Sequence, residues 1–91
     1  MKLSEMYTFE DLTNEAERLV IEELDRFLRE RGLLEEVTED HILDMATWAL
    51  NHVRPMYRVN LLGRLYADTL MAEHGEEVRR AVEQAAEKIL G

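Results

Sequence analysis

Cysteine is absent from this 91-residue chain, which removes disulfides, thiolate metal sites, iron–sulfur clusters and a cysteine nucleophile together. Proline occurs once and glycine four times, so interruptions of regular structure are few. No stretch approaches the roughly 20 consecutive apolar residues of a membrane span. The first ten residues lack the basic-then-apolar order of a signal peptide. The expected location is therefore the cytoplasm, with no membrane contact. The chain also has no Gly-rich phosphate loop, no nucleophile elbow, no HExxH and no adjacent His-Asp pair. A protein without enzymatic activity is expected.

Acid is missing from one place in particular. The formal net charge is −9, which opposes DNA, RNA and anionic membranes as partners. Residues 1–44 hold fourteen Asp and Glu against five Lys and Arg, whereas residues 45–91 hold six of each. Nothing between Asp44 and Asp68 is acidic, and that window carries Arg54, Arg58 and Arg64 with His52, Trp48, Tyr57 and Tyr66.

What is present is helical periodicity. Thr8 and Asp11 have the spacing of a capping box and Tyr7 with Leu12 that of a hydrophobic staple, predicting a first helix from near Phe9 to about Arg31. Gly32 stands ready as its C′ residue. Thr38 is an N-cap candidate with Glu39 and Asp40 in the favourable first turn. Ile42, Met45, Ala46, Ala49, Leu50 and Val53 then form an amphipathic stripe that Pro55 ends, leaving Arg54 at or just past the helix end. Residues 56–62 read as an extended or irregular connector with room for a short strand. From Arg64 the pattern resumes through Leu70, Met71, Val78, Val82 and Ile89. Gly75 leaves open one long helix or two meeting there. The whole is one all-α domain of three to four helices over residues 1–91, and its limited core and the apolar surface around Leu43, Trp48 and the tail predict a homodimer.

Few side chains carry chemistry. His41 and Asp44, at i and i+3, have the spacing of two metal ligands, although single residues of these types on a helical edge are commonly solvent-facing or capping groups. The adjacent pairs Glu22–Glu23 and Glu35–Glu36 diverge by about 100° on a helix and read as a solvated face. Trp48 suits the core, a dimer contact or a ligand platform. Arg54 and Arg58 flank a proline-stiffened segment, and guanidinium binds phosphate bidentately and stacks on aromatic faces. The competing reading folds these arginines back onto the acidic first helix as internal ion pairs.

These residues resemble the late competence development ComFB family. The resemblance rests on Asn14, Glu17 and Val20 as Asn-x-x-Glu-x-x-Val, and on Asp44, Ala46 and the Ala49-Leu50-Asn51 ending of helix two. Pro55 and Tyr57 follow as Pro-x-Tyr, then Gly63 and Tyr66. It covers about Asn14 to Tyr66, leaving residues 67–91 as a helical tail. Glu36, Thr38 and His41 stand where many members carry cysteines that look like a zinc site, so neither structural metal nor cofactor is expected. Arg54-Pro55 replaces a Pro-Pro. The resemblance implies a non-enzymatic homodimer linked to competence or motility, with members that look like receptors for cyclic dinucleotides such as cyclic di-GMP. Arg54, Tyr57, Arg58 and Arg64, with Trp48 and Tyr66 as neighbours, are the residues such a ligand would meet. The alternative is a ligand-free homodimeric adaptor that binds another protein.

Overall fold

A computed structural model describes residues 1–59 and 67–91. In chain order these form α1 (Leu3–Met6), β1 (Leu12–Asn14), α2 (Glu15–Glu30), α3 (Glu39–Leu50), β2 (Tyr57–Val59) and α4 (Ala67–Leu90). Among the described residues the fold is all-α except for one small antiparallel ribbon, in which Leu12, Thr13 and Asn14 pair with Val59, Arg58 and Tyr57. Among the described residues no helix is long and apolar enough to cross a membrane.

The start of the first long helix corrects the expectation. It begins at Glu15 rather than near Phe9. Asn14 is the cap, its side chain accepting from the Ala16 N–H at 3.1 Å, and the three residues before the helix are drawn into pairing with β2. Thr8 instead accepts a long contact from the Glu10 N–H. Tertiary pairing has overridden a local capping pattern.

The end of α2 and the start of α3 follow local chemistry, whereas α3 stops at Leu50 with Asn51 as its C-cap, short of Val53 and Pro55 where the apolar stripe predicts its end. Gly32 has φ +66°, the Leu33 N–H reaches the Leu28 carbonyl at 2.9 Å and the Gly32 N–H reaches that of Arg29 at 3.2 Å. This is the paired Schellman arrangement that closes a helix on glycine. At α3, Thr38 Oγ1 accepts from the His41 N–H at 3.1 Å and His41 Nδ1 accepts from the Thr38 N–H at 3.3 Å. His41 is thus a capping group. The expected connector contains the short strand β2, and its residues 60–62 lie outside the described residues.

The core lies where α2, α3 and α4 meet. Leu19, Val20 and Leu28 of α2, Met45 of α3, and Val78 and Val82 of α4 are each at most 2% exposed. Burial of side chains of this size contributes about 1.5–3 kcal/mol each. Ala81 and Ala85, also buried, put little bulk between α4 and its neighbours.

One helix spans Gly75, resolving the two-helix alternative in favour of the long one. The three atoms nearest to a Cβ built there belong to the flexible Met71 side chain, the nearest at 3.5 Å. Gly75→Ala is therefore expected to stabilise the domain by up to about 1 kcal/mol, raising Tm by roughly 4–8 °C in a thermal melt.

A second correction concerns Glu23, which was expected on a solvated face. Its side chain is 3% exposed. Arg26 grips it through two guanidinium nitrogens, one at 2.9 Å, and Arg79 of α4 approaches to 3.7 Å. Its neighbour Glu22 stays exposed and pairs with Arg18 at 3.0 Å. The roughly 100° between adjacent helical residues, used to argue that the two do not share a site, also carries one of them inward. A carboxylate buried this deeply requires such partners.

Candidate functional site

The site is built outward from Asn14. Besides capping α2, its Oδ1 accepts from the Met56 N–H at 2.8 Å, and the Met56 carbonyl accepts from the Glu15 N–H at 2.8 Å. One amide oxygen thus fastens the segment after Pro55 to the first turn of α2. Met56 is buried, so its backbone needs these partners. Val53, also buried, anchors the other side of Arg54 and Pro55. The segment is held by backbone and core, leaving its polar side chains outside.

Arg54 lies beyond the end of α3 at Leu50, and its partner is not on the acidic first helix. Its backbone N–H donates to Glu77 Oε1 at 3.0 Å and its Nε donates to Glu77 Oε2 at 2.8 Å. Glu77 belongs to α4 and is the residue that sequence reasoning missed. Partial burial works to raise its carboxyl. The Arg54 N–H, the Arg54 guanidinium and nearby His74 outweigh this, so it sits below the usual glutamate value. A depressed carboxylate contributes stability above its unfolded pKa and loses it as pH falls through the folded one. The contribution should therefore fade in acid, below the ordinary glutamate range. In melts across pH 3–7, Glu77→Gln should remove that part of the profile, and an unchanged profile would count against the pair.

The other predicted residues divide. Tyr57 is 63% exposed, whereas Arg58, next along β2, is half-buried; alternation puts the two on opposite faces of the ribbon. Trp48 packs against the core edge and stacks on His52 at 3.6 Å between ring centroids and 9° between planes. His52 Nδ1 lies 2.7 Å from the Trp48 carbonyl, which fixes the imidazole over the indole. Arg64 and Tyr66 lie outside the described residues. What faces solvent around Pro55 is therefore a cation held by a carboxylate and an open phenol ring, a pair suited to an anion with an attached flat ring.

The family model for late competence development protein ComFB matches residues 13–90. The chain belongs to that family. No curated protein and no solved structure matches it. The ComFB match extends the resemblance read from Asn14 to Tyr66, because it takes in α4 almost to its end. The helical tail is thus part of the ComFB domain, consistent with its supplying one wall of the core. Three of the motif residues have structural work here: Asn14 joins α2 to Met56, Val20 is fully buried, and Ala49 is 1% exposed. Glu17 is exposed.

Proposed function

We propose that this competence-family domain is a non-enzymatic signalling module, a cytoplasmic homodimer that binds a cyclic dinucleotide of the cyclic di-GMP type. The observation that carries the reading is the fastened Arg54–Tyr57 segment, which presents a guanidinium and an open aromatic ring within a stretch that has no acid of its own. The arginine's carboxylate partner does not close the site. Arg54 is 62% exposed in that pair, and exposed ion pairs contribute only about 0.2–1 kcal/mol. A phosphate, with its bidentate fit to guanidinium, can displace Glu77. Tyr57 then stacks on a purine, while Arg58, on the opposite face of the ribbon, adds positive charge at longer range. A two-fold ligand on a dimer axis meets each of these groups twice.

Calorimetric titration with cyclic di-GMP and cyclic di-AMP tests this. Saturable heat is expected for one of them, lost in the Arg54→Ala, Arg58→Ala double variant while its circular dichroism stays native. Glu77→Gln is expected to tighten binding about two- to fivefold, as removal of a competing exposed pair implies. No heat at tens of micromolar protein, or binding indifferent to both arginines, overturns the reading. Light scattering that shows a monomer with and without ligand overturns the dimer. The Arg54–Glu77 pair favours one alternative, a ligand-free homodimeric adaptor in which the arginines are structural. Under it, Arg54→Ala lowers Tm while neither dinucleotide raises it.

A further inference from the structure

The acidic half of the molecule carries a second feature, distinct from the arginine segment. Between α2 and α3 runs an open groove of about 290 Å³ with Ile21 and Leu28 on one wall, Ile42 and Leu43 on the other, and Leu34 of the connection beside them. Ile21 and Leu43 are the most exposed large apolar residues on the two helices, at 58% and 57%. Ligand pockets run from roughly 300 to 1,000 Å³, so this groove suits a few side chains rather than an entire ligand. Its two helical walls match the way an amphipathic helix lays an apolar stripe into a groove.

Charge decides what kind of helix. Asp25 lines the groove. Glu17 lies one turn before Ile21, and Glu39 lies one turn before Ile42 and Leu43, so helical spacing places both on the groove line; both are exposed. Asp25 shares its charge with Arg29 at 2.9 Å, but Glu39, Asp40 and Asp44 of α3 have no ion-pair partner among the described residues. α3 contains no Lys or Arg at all. A second copy of this chain would bring the same carboxylates against themselves at a net charge of −9 per chain, and like charges held opposite one another are disfavoured. The chain's own apolar N-terminal segment does not match either. Residues 1–11 are exposed and hold one Lys against Glu5, Glu10 and Asp11.

We propose that the α2–α3 groove is a docking site for a basic amphipathic helix of another protein. The partner places apolar side chains at i, i+3, i+4 and i+7 between Ile21 and Leu43 and flanks them with Lys or Arg facing Glu17, Asp25 and Glu39. This surface is independent of the dinucleotide reading; it takes Leu43, which the sequence places on the expected dimer surface, out of the proposed dimer contact, which would use the Arg54–Tyr57 face instead.

Two labelled synthetic helices with the same leucine stripe, one flanked by lysines and one by glutamates, serve as probes in fluorescence anisotropy. The lysine helix is expected to bind at least tenfold more tightly than the glutamate helix, with affinity falling as salt rises. Ile21→Ser with Leu43→Ser should weaken it about tenfold or more. Both residues are already solvent-facing, so the variant is expected to keep its helical circular dichroism. Glu17→Lys with Glu39→Lys should shift preference toward the glutamate helix. Equal binding of the two helices, no binding of either, or binding indifferent to Ile21 and Leu43 overturns the proposal. So does concentration-dependent self-association that the Ile21, Leu43 variant abolishes, because the groove would then be a contact between copies.

Discussion

Asn14→Ala is expected to lower Tm by about 10–20 °C in a thermal melt. Two losses combine at this position. The Ala16 N–H at the start of α2 loses its cap, which costs about 0.5–2 kcal/mol. The Met56 N–H, attached to a buried residue, loses its acceptor, and a buried donor left without a partner costs about 1–3 kcal/mol. A sum of about 1.5–5 kcal/mol is a large fraction of the total stability of a small domain. Asn14→Asp retains an acceptor oxygen and places negative charge at a helix N-terminus, where it is favourable, so it should recover most of the loss. A small effect of Asn14→Ala, or failure of Asn14→Asp to rescue, would show that Asn14 does not fasten the Pro55 segment. The proposed dinucleotide site rests on the same segment. If Asn14 holds that segment in place, dinucleotide affinity should suffer in Asn14→Ala even at temperatures where the protein remains folded.

Met45→Ala is expected to cost about 2–5 kcal/mol and to leave a domain that melts close to ambient temperature. Met45 is completely buried in α3, against the helices that α3 packs upon, α2 and α4. Met45→Leu keeps the volume and should cost less than about 1.5 kcal/mol. The pair of variants also tests the division of the acid-free window. The Met45–Val53 part carries the core stripe, whereas Arg54 and Tyr57 face solvent. On the proposed reading, Met45→Leu should therefore leave dinucleotide affinity unchanged, in contrast to the loss expected on removing the two arginines. A change in affinity with unchanged stability would place the ligand against α3 instead.

Much of the fold is legible in local sequence. Thr38 as cap, the α3 stripe, the Gly32 ending of α2 and the apolar face of the tail all follow from patterns within two or three turns of helix, where i, i+3 and i+4 neighbours are adjacent whatever the rest of the chain does. The start of α2 was not legible. Thr8 and Asp11 offer a capping pattern, but Asn14 takes its place because Met56, 42 residues away, donates to the same oxygen. Glu23 shows the same limit. Its type predicts exposure, whereas its position on the inward face of α2 and the approach of Arg79 from α4 bury it. Arg54 lies past the helix end, but the end itself comes at Leu50 rather than at Pro55, so Val53 is buried from the following turn and not from the helix. The carboxylate partner of Arg54, Glu77, is 23 residues on, too distant for any helical period to select among the acids that follow the window.

The sequence by itself determined that this is an acidic, cysteine-free, helical domain, where α3 begins, and that its charge is divided into an acidic half and an acid-free arginine stretch. Composition and short-range periodicity suffice for these because each depends only on residue type and near neighbours. The tertiary structure alone decided which residues those features meet: Asn14 with Met56, Arg54 with Glu77, Glu23 with Arg79, and the apolar walls of α2 and α3 with each other across an acidic groove. Such pairings depend on how helices of fixed period are turned and packed, and a chain's periodicity says which face is apolar without saying what lies opposite it.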